Sequence, residues 1–228
     1  MHAVFLLTFG LATALSSFLV LNRIFPINQQ SDTMGPPVVV PISQVDPSSY
    51  SNVDVFVLKH LSLQWKVDFE AKAISGTAAL TIEPSPDRSA DADTTTLILD
   101  TRDVNVISVR LEGSTAALPF ALAVPHKAFG AALKIDLPAS VQNAPFVVLI
   151  EYSTTAACSA LQWLEPQQTA GKTKPFLFSQ CQAIHARSLV PCQDTPAVKF
   201  TYEARVTAPE GLVVLMSAIK NKVRPRFR

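Results

Sequence analysis

Between residues 175 and 196 the chain reads PFLFSQCQAIHARSLVPCQDTP, its densest run of chemically particular side chains. The run holds two of the three cysteines, one of the four histidines and three glutamines, Gln180, Gln182 and Gln193. A glutamine amide offers donors and an acceptor without charge. Two of them where an apolar strand, Phe176-Leu177-Phe178, comes to its end could grip a peptide backbone or the polar end of a ligand. The other groups invite blander readings. His185 has no His, Asp or Glu at metal spacing and is read as structural, despite a side chain that titrates near neutrality. Cys181 has only His185 nearby to stabilise a thiolate and is read as packing. Asp194, just before Thr195-Pro196, is expected to cap a turn through its side chain. Trp163 is read as an anchor for its own loop. Ser179 and Ser188 lie in no G-x-S-x-G elbow, and no G-x-x-x-x-G-K-[ST] phosphate loop exists. The C-x10-C spacing of Cys181 and Cys192 is not a metal spacing. An odd cysteine count gives no disulfide framework, so Cys158, Cys181 and Cys192 are expected to be free, partly buried thiols. No residue is assigned a catalytic or metal-binding role.

The elements that must position these groups are strands. Residues 61–70 alternate without a break: Leu61, Leu63, Trp65, Val67 and Phe69 on one face, Ser62, Gln64, Lys66, Asp68 and Glu70 on the other. That is a half-buried strand. Ser75-Gly76 reads as a turn into a return strand over 77–82, and 84–95 as a polar loop. Two more strands, 96–99 and 104–111, are joined through Asp100-Thr101-Arg102-Asp103. Leu133, Ile135 and Leu137 alternate, 146–152 is strongly apolar, and 154–174 reads as a long loop holding Trp163. Residues 198–207 form a second clean amphipathic strand, and 213–217 one more. Eight or nine strands and no amphipathic helix after Leu21 argue an all-β domain.

Size and charge narrow the classes. A chain of 228 residues, 48% hydrophobic and 16% charged, suits one globular domain rather than disorder. A net charge of +1 gives no electrostatic case for nucleic acid. Residues 3–21 carry no charge. As one apolar helix they would span roughly 28 Å, close to a bilayer core. Signal peptide, with Ala12-Thr13-Ala14 as an A-x-A-like cleavage site, and uncleaved anchor are the competing readings, with a misassigned start as a third. No Lys or Arg precedes Ala3, which counts against the first two. Residues 24–52, with Pro36, Pro37, Pro41 and Pro47, read as a Pro/Ser-rich linker. The last nine residues, 220–228, form a divergent tail with five basic side chains.

The 175–196 run resembles the Q-x-Q-A segment of the leukotriene A(4) hydrolase and aminopeptidase B branch of the M1 zinc aminopeptidases. Ala160-Leu161-Gln162-Trp163-Leu164, Glu165-Pro166-Gln167-Gln168-Thr169 and VVLMSA at 213–218 match too. The similarity runs from about 53 to 219, and Cys181 and Cys192 lean it toward the hydrolase. It implies a saddle of several β-sheets over 53–219, the concave side facing a catalytic domain. It also implies that Gln180, Gln182 and Ala183 bind substrate, Gln182 reaching toward its N-terminal end and Ala183 lining the pocket. The family holds zinc through H-E-x-x-H plus a downstream Glu, beside G-x-M-E-N. Neither motif is here, and no two of His2, His60, His126 and His185 are four apart.

The expectation is therefore a substrate-binding N-terminal β-domain, truncated before the zinc catalytic domain and inactive alone. It would hold no cofactor itself, zinc belonging to the full-length family. A peptide N-terminus or a lipid epoxide would bind only when a catalytic domain is present. The alternatives are a non-catalytic binding or regulatory module that docks a protein partner, and a truncated product of a complete zinc aminopeptidase. The apolar N-terminus predicts a membrane or secretory location, whereas the resemblance to the hydrolase predicts a cytoplasmic one.

Overall fold

In the computed structural model the described residues are 39–220 together with the backbone of 3–7. They fold into three sheets with no helix beyond single 3-10 turns. The expected all-β class is what the chain adopts.

The largest sheet takes β2 (Phe56–Asp68), β3 (Ala73–Pro84), β5 (Val104–Leu111), β8 (Phe146–Thr154) and β11 (Thr201–Thr207), in the order β11-β2-β3-β8-β5. β11 runs parallel to β2; the other pairs are antiparallel. The alternation read in the sequence is the cause: Leu61, Leu63, Trp65 and Val67 are buried, while Gln64, Lys66 and Asp68 face water. A three-stranded sheet, order β4-β7-β6, is built from β4 (Thr96–Thr101), β6 (Phe120–Leu122) and β7 (Ala131–Asp136). The third sheet, order β12-β1-β10-β9, combines β1 (Ala3–Leu7), β9 (Leu161–Leu164), β10 (Phe176–Ser179) and β12 (Leu212–Leu215).

One main core joins the sheets, with a second, smaller cluster formed by Val40, Tyr50, Ala123 and Ala132. Leu80, Ile82, Val148 and Ile150 come from the largest sheet, Leu97, Leu99, Leu133 and Ile135 from the three-stranded one, and Leu177 from β10. Each such side chain contributes about 1.5–3 kcal/mol when fully buried. Phe56 and Phe146 meet edge to face at 5.6 Å inside it.

Several expectations are corrected. Ala3–Leu7 is a strand, so the start of the expected apolar helix is extended backbone; the rest of that run, 8–21, lies outside the described residues, as do 24–38 and 221–228. Among the described residues no helix is long and apolar enough to cross a membrane. The end of the expected linker is packed: Ser49, Tyr50 and Ser51 are buried, and the Tyr50 N–H donates to Asp100 Oδ1 at 2.7 Å. Ser75-Gly76 is not a turn. The chain turns earlier, with Lys72 at φ 50°, and Gly76 lies inside β3. There Gly76 is register partner to Trp65 on one side and Tyr152 on the other. Without a side chain between them, Trp65 Nε1 donates to Tyr152 Oη at 2.7 Å. The expected loop over 154–174 contains β9, which pairs with β10 and sets Trp163 opposite Leu177.

A glutamine corner as candidate functional site

Gln180 follows β10 directly. Its N–H donates to the Ala160 carbonyl at 2.8 Å, which extends the β9–β10 pairing by one bond past the strand end. Its side-chain Oε1 turns back and accepts the Gln182 N–H at 3.2 Å. The first glutamine therefore spends its acceptor on local geometry and stays half-buried, whereas Gln182 and Ala183 are exposed. The structure sets the three expected residues at one corner, with Gln182 and Ala183 facing solvent.

The chain behind that corner curls back in tight turns. The His185 N–H donates to the Cys181 carbonyl at 2.9 Å, and the Ser188 N–H to the His185 carbonyl at 3.0 Å. Ala186–Ser188 is a 3-10 turn. His185 Nδ1 and Ser159 Oγ lie 2.6 Å apart, which ties the corner to the segment before β9. Burial lowers the His185 pKa, the nearby Arg102 guanidinium adds to this, and Asp194 opposes it. His185 thus sits in a structural contact with Ser159. The three cysteines are free and buried. Burial pushes the Cys181 thiol up to about 12 and raises Cys158 and Cys192 as well, so none is a ready nucleophile. Trp163 is half-buried and meets Phe69 edge-on at 5.2 Å, fixing β9 to the turn after β2.

What the sequence did not reveal is the group that anchors the corner from inside. Arg187 is completely buried. Its Nε donates to Asp194 Oδ2 at 3.0 Å and its Nη2 to the Asp194 carbonyl at 2.9 Å. Its Nη1 donates to the carbonyls of Ser48 at 2.9 Å and Phe129 at 2.8 Å. Asp100 Oδ1 stands 3.7 Å from Nη1 as a second, longer ion pair. Asp100 is itself fully buried and accepts from Ser49 Oγ, Ser51 Oγ and the N–H groups of Tyr50 and Asp194. Asp194 therefore does more than cap a local turn. Burial raises its pKa, and the hydrogen bonds and charge of Arg187 work against that rise. The only hint in the sequence was a charged residue inside the otherwise uncharged stretch from Cys181 to Gln193; its partners are distant in the chain and could not be read.

The arrangement is a wall rather than a pocket. A groove of about 320 Å³ lies beside Gly76, lined by Lys66, Glu151 and Arg205 among others. A second concavity of about 300 Å³ lies beside Arg102, His126 and Lys127. Neither includes Gln180, Gln182 or Ala183. Among the described residues no three His, Cys, Asp or Glu side chains are placed to hold a metal ion, so the zinc that the resemblance implies finds no ligand set in them.

Residues 47–225 match the family model described as Peptidase M1 N-terminal domain, so the match begins within the stretch expected to be linker. Leukotriene A-4 hydrolase of Xenopus laevis is 45% identical over 177 residues, which cover 77% of this chain and 28% of that protein. Leucine aminopeptidase 2 of Neurospora crassa is 41% identical over 170 residues, 74% of this chain and 24% of that one. The solved native leukotriene A4 hydrolase of Saccharomyces cerevisiae superposes with a TM-score of 0.66 at 38% identity, over 73% of this chain and 25% of the other. The chain thus spans about a quarter of the length of these relatives. With most of its length inside the family model and its sheets shared with the yeast hydrolase, the chain belongs to the Peptidase M1 N-terminal domain family.

Proposed function

We propose that this chain is the substrate-binding β-domain of a leukotriene A4 hydrolase-like or leucine aminopeptidase-like M1 protein. In this reading it supplies one wall of the site and none of the reacting groups. The observation that carries the reading is the exposed Gln182–Ala183 corner, held by the Gln180 amide on one side and the buried Arg187 on the other. A neutral amide in a fixed position can pair with the backbone of a peptide's first residues whatever their side chains, because peptide groups offer the same donor and acceptor each time. Ala183 adds a small surface against which a side chain or an acyl chain can lie. Zinc, where a catalytic domain holds it, supplies the Lewis acid. The residues of this chain bind and orient.

The whole site needs a catalytic domain, so the corner's own share of binding is tested, at high peptide concentration, by titrating the isotope-labelled chain with a short peptide bearing a free N-terminus, and with its N-acetylated twin. The expected result is a set of shifts confined to the Gln182 side-chain amide and the residue 180–186 backbone. The free peptide should shift them at lower concentration than the acetylated one. Equal response to both peptides, or shifts centred elsewhere, would overturn the reading.

A further inference from the structure

We propose that Arg187 is a positioning residue: it holds the Gln182–Ala183 corner at a fixed place by joining that corner to the far end of its own loop and to two other parts of the fold. The guanidinium is a rigid planar fork with five N–H donors. Here it reaches the Asp194 carboxylate and carbonyl, the carbonyl of Ser48 and that of Phe129. Ser48 belongs to the segment before β2, Phe129 to the connection between β6 and β7, and Asp194 to the end of the corner's own loop. The backbone of Arg187 adds two more bonds. Its N–H donates to Asp194 Oδ2 at 3.1 Å, and its carbonyl accepts from the Arg102 N–H at 2.9 Å.

Between Arg187 and β10 lie the corner residues. Their backbone is pinned at the β10 end by the bond from Gln180 to Ala160 and at the other by Arg187. A hydrophobic residue could fill the same volume, and replacing a buried ion pair by apolar groups is often neutral for stability. What an apolar side chain cannot do is bond four acceptors at fixed angles. A lysine keeps the charge but presents a point donor rather than a fork. The role assigned here is thus local geometry, separate from overall stability. Its value for substrate rests on reading Gln182 as substrate-facing; the geometry itself does not.

The experiment is hydrogen exchange, amide by amide, on the whole chain with Arg187→Lys, and the peptide titration above on the same variant. The expected result is exchange at least about tenfold faster for amides of residues 181–190, while those of β3 and β8 stay as slow as in the parent. The response of Gln182 to the free peptide should move to roughly tenfold higher concentration. Unchanged exchange at 181–190 would overturn the proposal. So would a rise shared equally by β3 and β8, which marks a merely structural role. If Arg187→Lys does not fold, Asp194→Asn keeps the side-chain size and is judged by the same two criteria. A parent chain that ignores the peptide sinks the substrate reading and leaves the exchange result to decide on Arg187 alone.

Discussion

At the scale of single residues, buried polar side chains do work that backbone pairing leaves undone. Gln193 is an example. It is 1% exposed, and its Oε1 accepts the Leu58 N–H at 2.8 Å while its Nε2 donates to the Phe56 carbonyl at 2.8 Å. It serves the stretch of β2 where the ladder with β3 slips between Leu58 and His60. A buried backbone group left without a partner costs about 1–3 kcal/mol. Gln193→Leu strands two such groups and is expected to destabilise the chain by about 2–4 kcal/mol. Urea unfolding with an unchanged m-value would measure this, and a loss under about 1 kcal/mol would mean that water or repacking satisfies both groups. Gln182, eleven positions earlier, has the same side chain and faces solvent. Its replacement by alanine should leave the unfolding midpoint unmoved, and that contrast separates a structural amide from a presented one.

At the scale of elements, Gly76 shows how a strand is shaped by what it lacks. A Cβ there would collide with the Gln64 carbonyl, and a side chain would stand between Trp65 and Tyr152. Gly76→Ala is expected to cost about 3 kcal/mol or more, from overpacking and backbone strain together. Gly113 is the control. It sits at φ +75° with nothing within 4 Å of a built Cβ, so Gly113→Ala should cost only about 1–2 kcal/mol of left-handed strain. Equal denaturation midpoints for the two variants would remove the packing argument. The same glycine explains where the sequence misleads. Ser-Gly between two alternating runs reads as a turn, yet the strands continue through it, because a close approach uses glycine as readily as a turn does. Clean alternation made β2 legible, and continuous apolar runs made β4 and β8 legible. The three-residue β6 and the four-residue β9 are too short to show a period and owe their pairing to β7 and β10. The candidate corner was legible because its glutamines are neighbours in the chain. Arg187, Asp100 and Ser48 were not, because ionic and carbonyl partners 87 and 139 positions apart leave no local pattern.

At the scale of the molecule, three sheets close on one main core and leave the glutamine corner at the surface. The described residues bring together no metal-binding set, and the sequence contains no H-E-x-x-H. The purified chain is expected to carry clearly less than stoichiometric zinc by elemental analysis, because a structural or catalytic zinc needs three or four protein ligands together. It should also release no fluorophore from aminoacyl-coumarin substrates. Chelator-sensitive turnover by the homogeneous chain would contradict both expectations. The placement of the two tryptophans has a spectroscopic consequence. Trp65 is buried on β2 of the largest sheet with its indole N–H on Tyr152, so it emits as a shielded chromophore tied to the core. Trp163 is half-buried on β9, opposite Leu177, which lies three positions before Gln180. Its emission senses the strand that leads into the corner. With Trp65→Phe, the remaining intrinsic fluorescence becomes an optical readout of that neighbourhood, and no label need be attached.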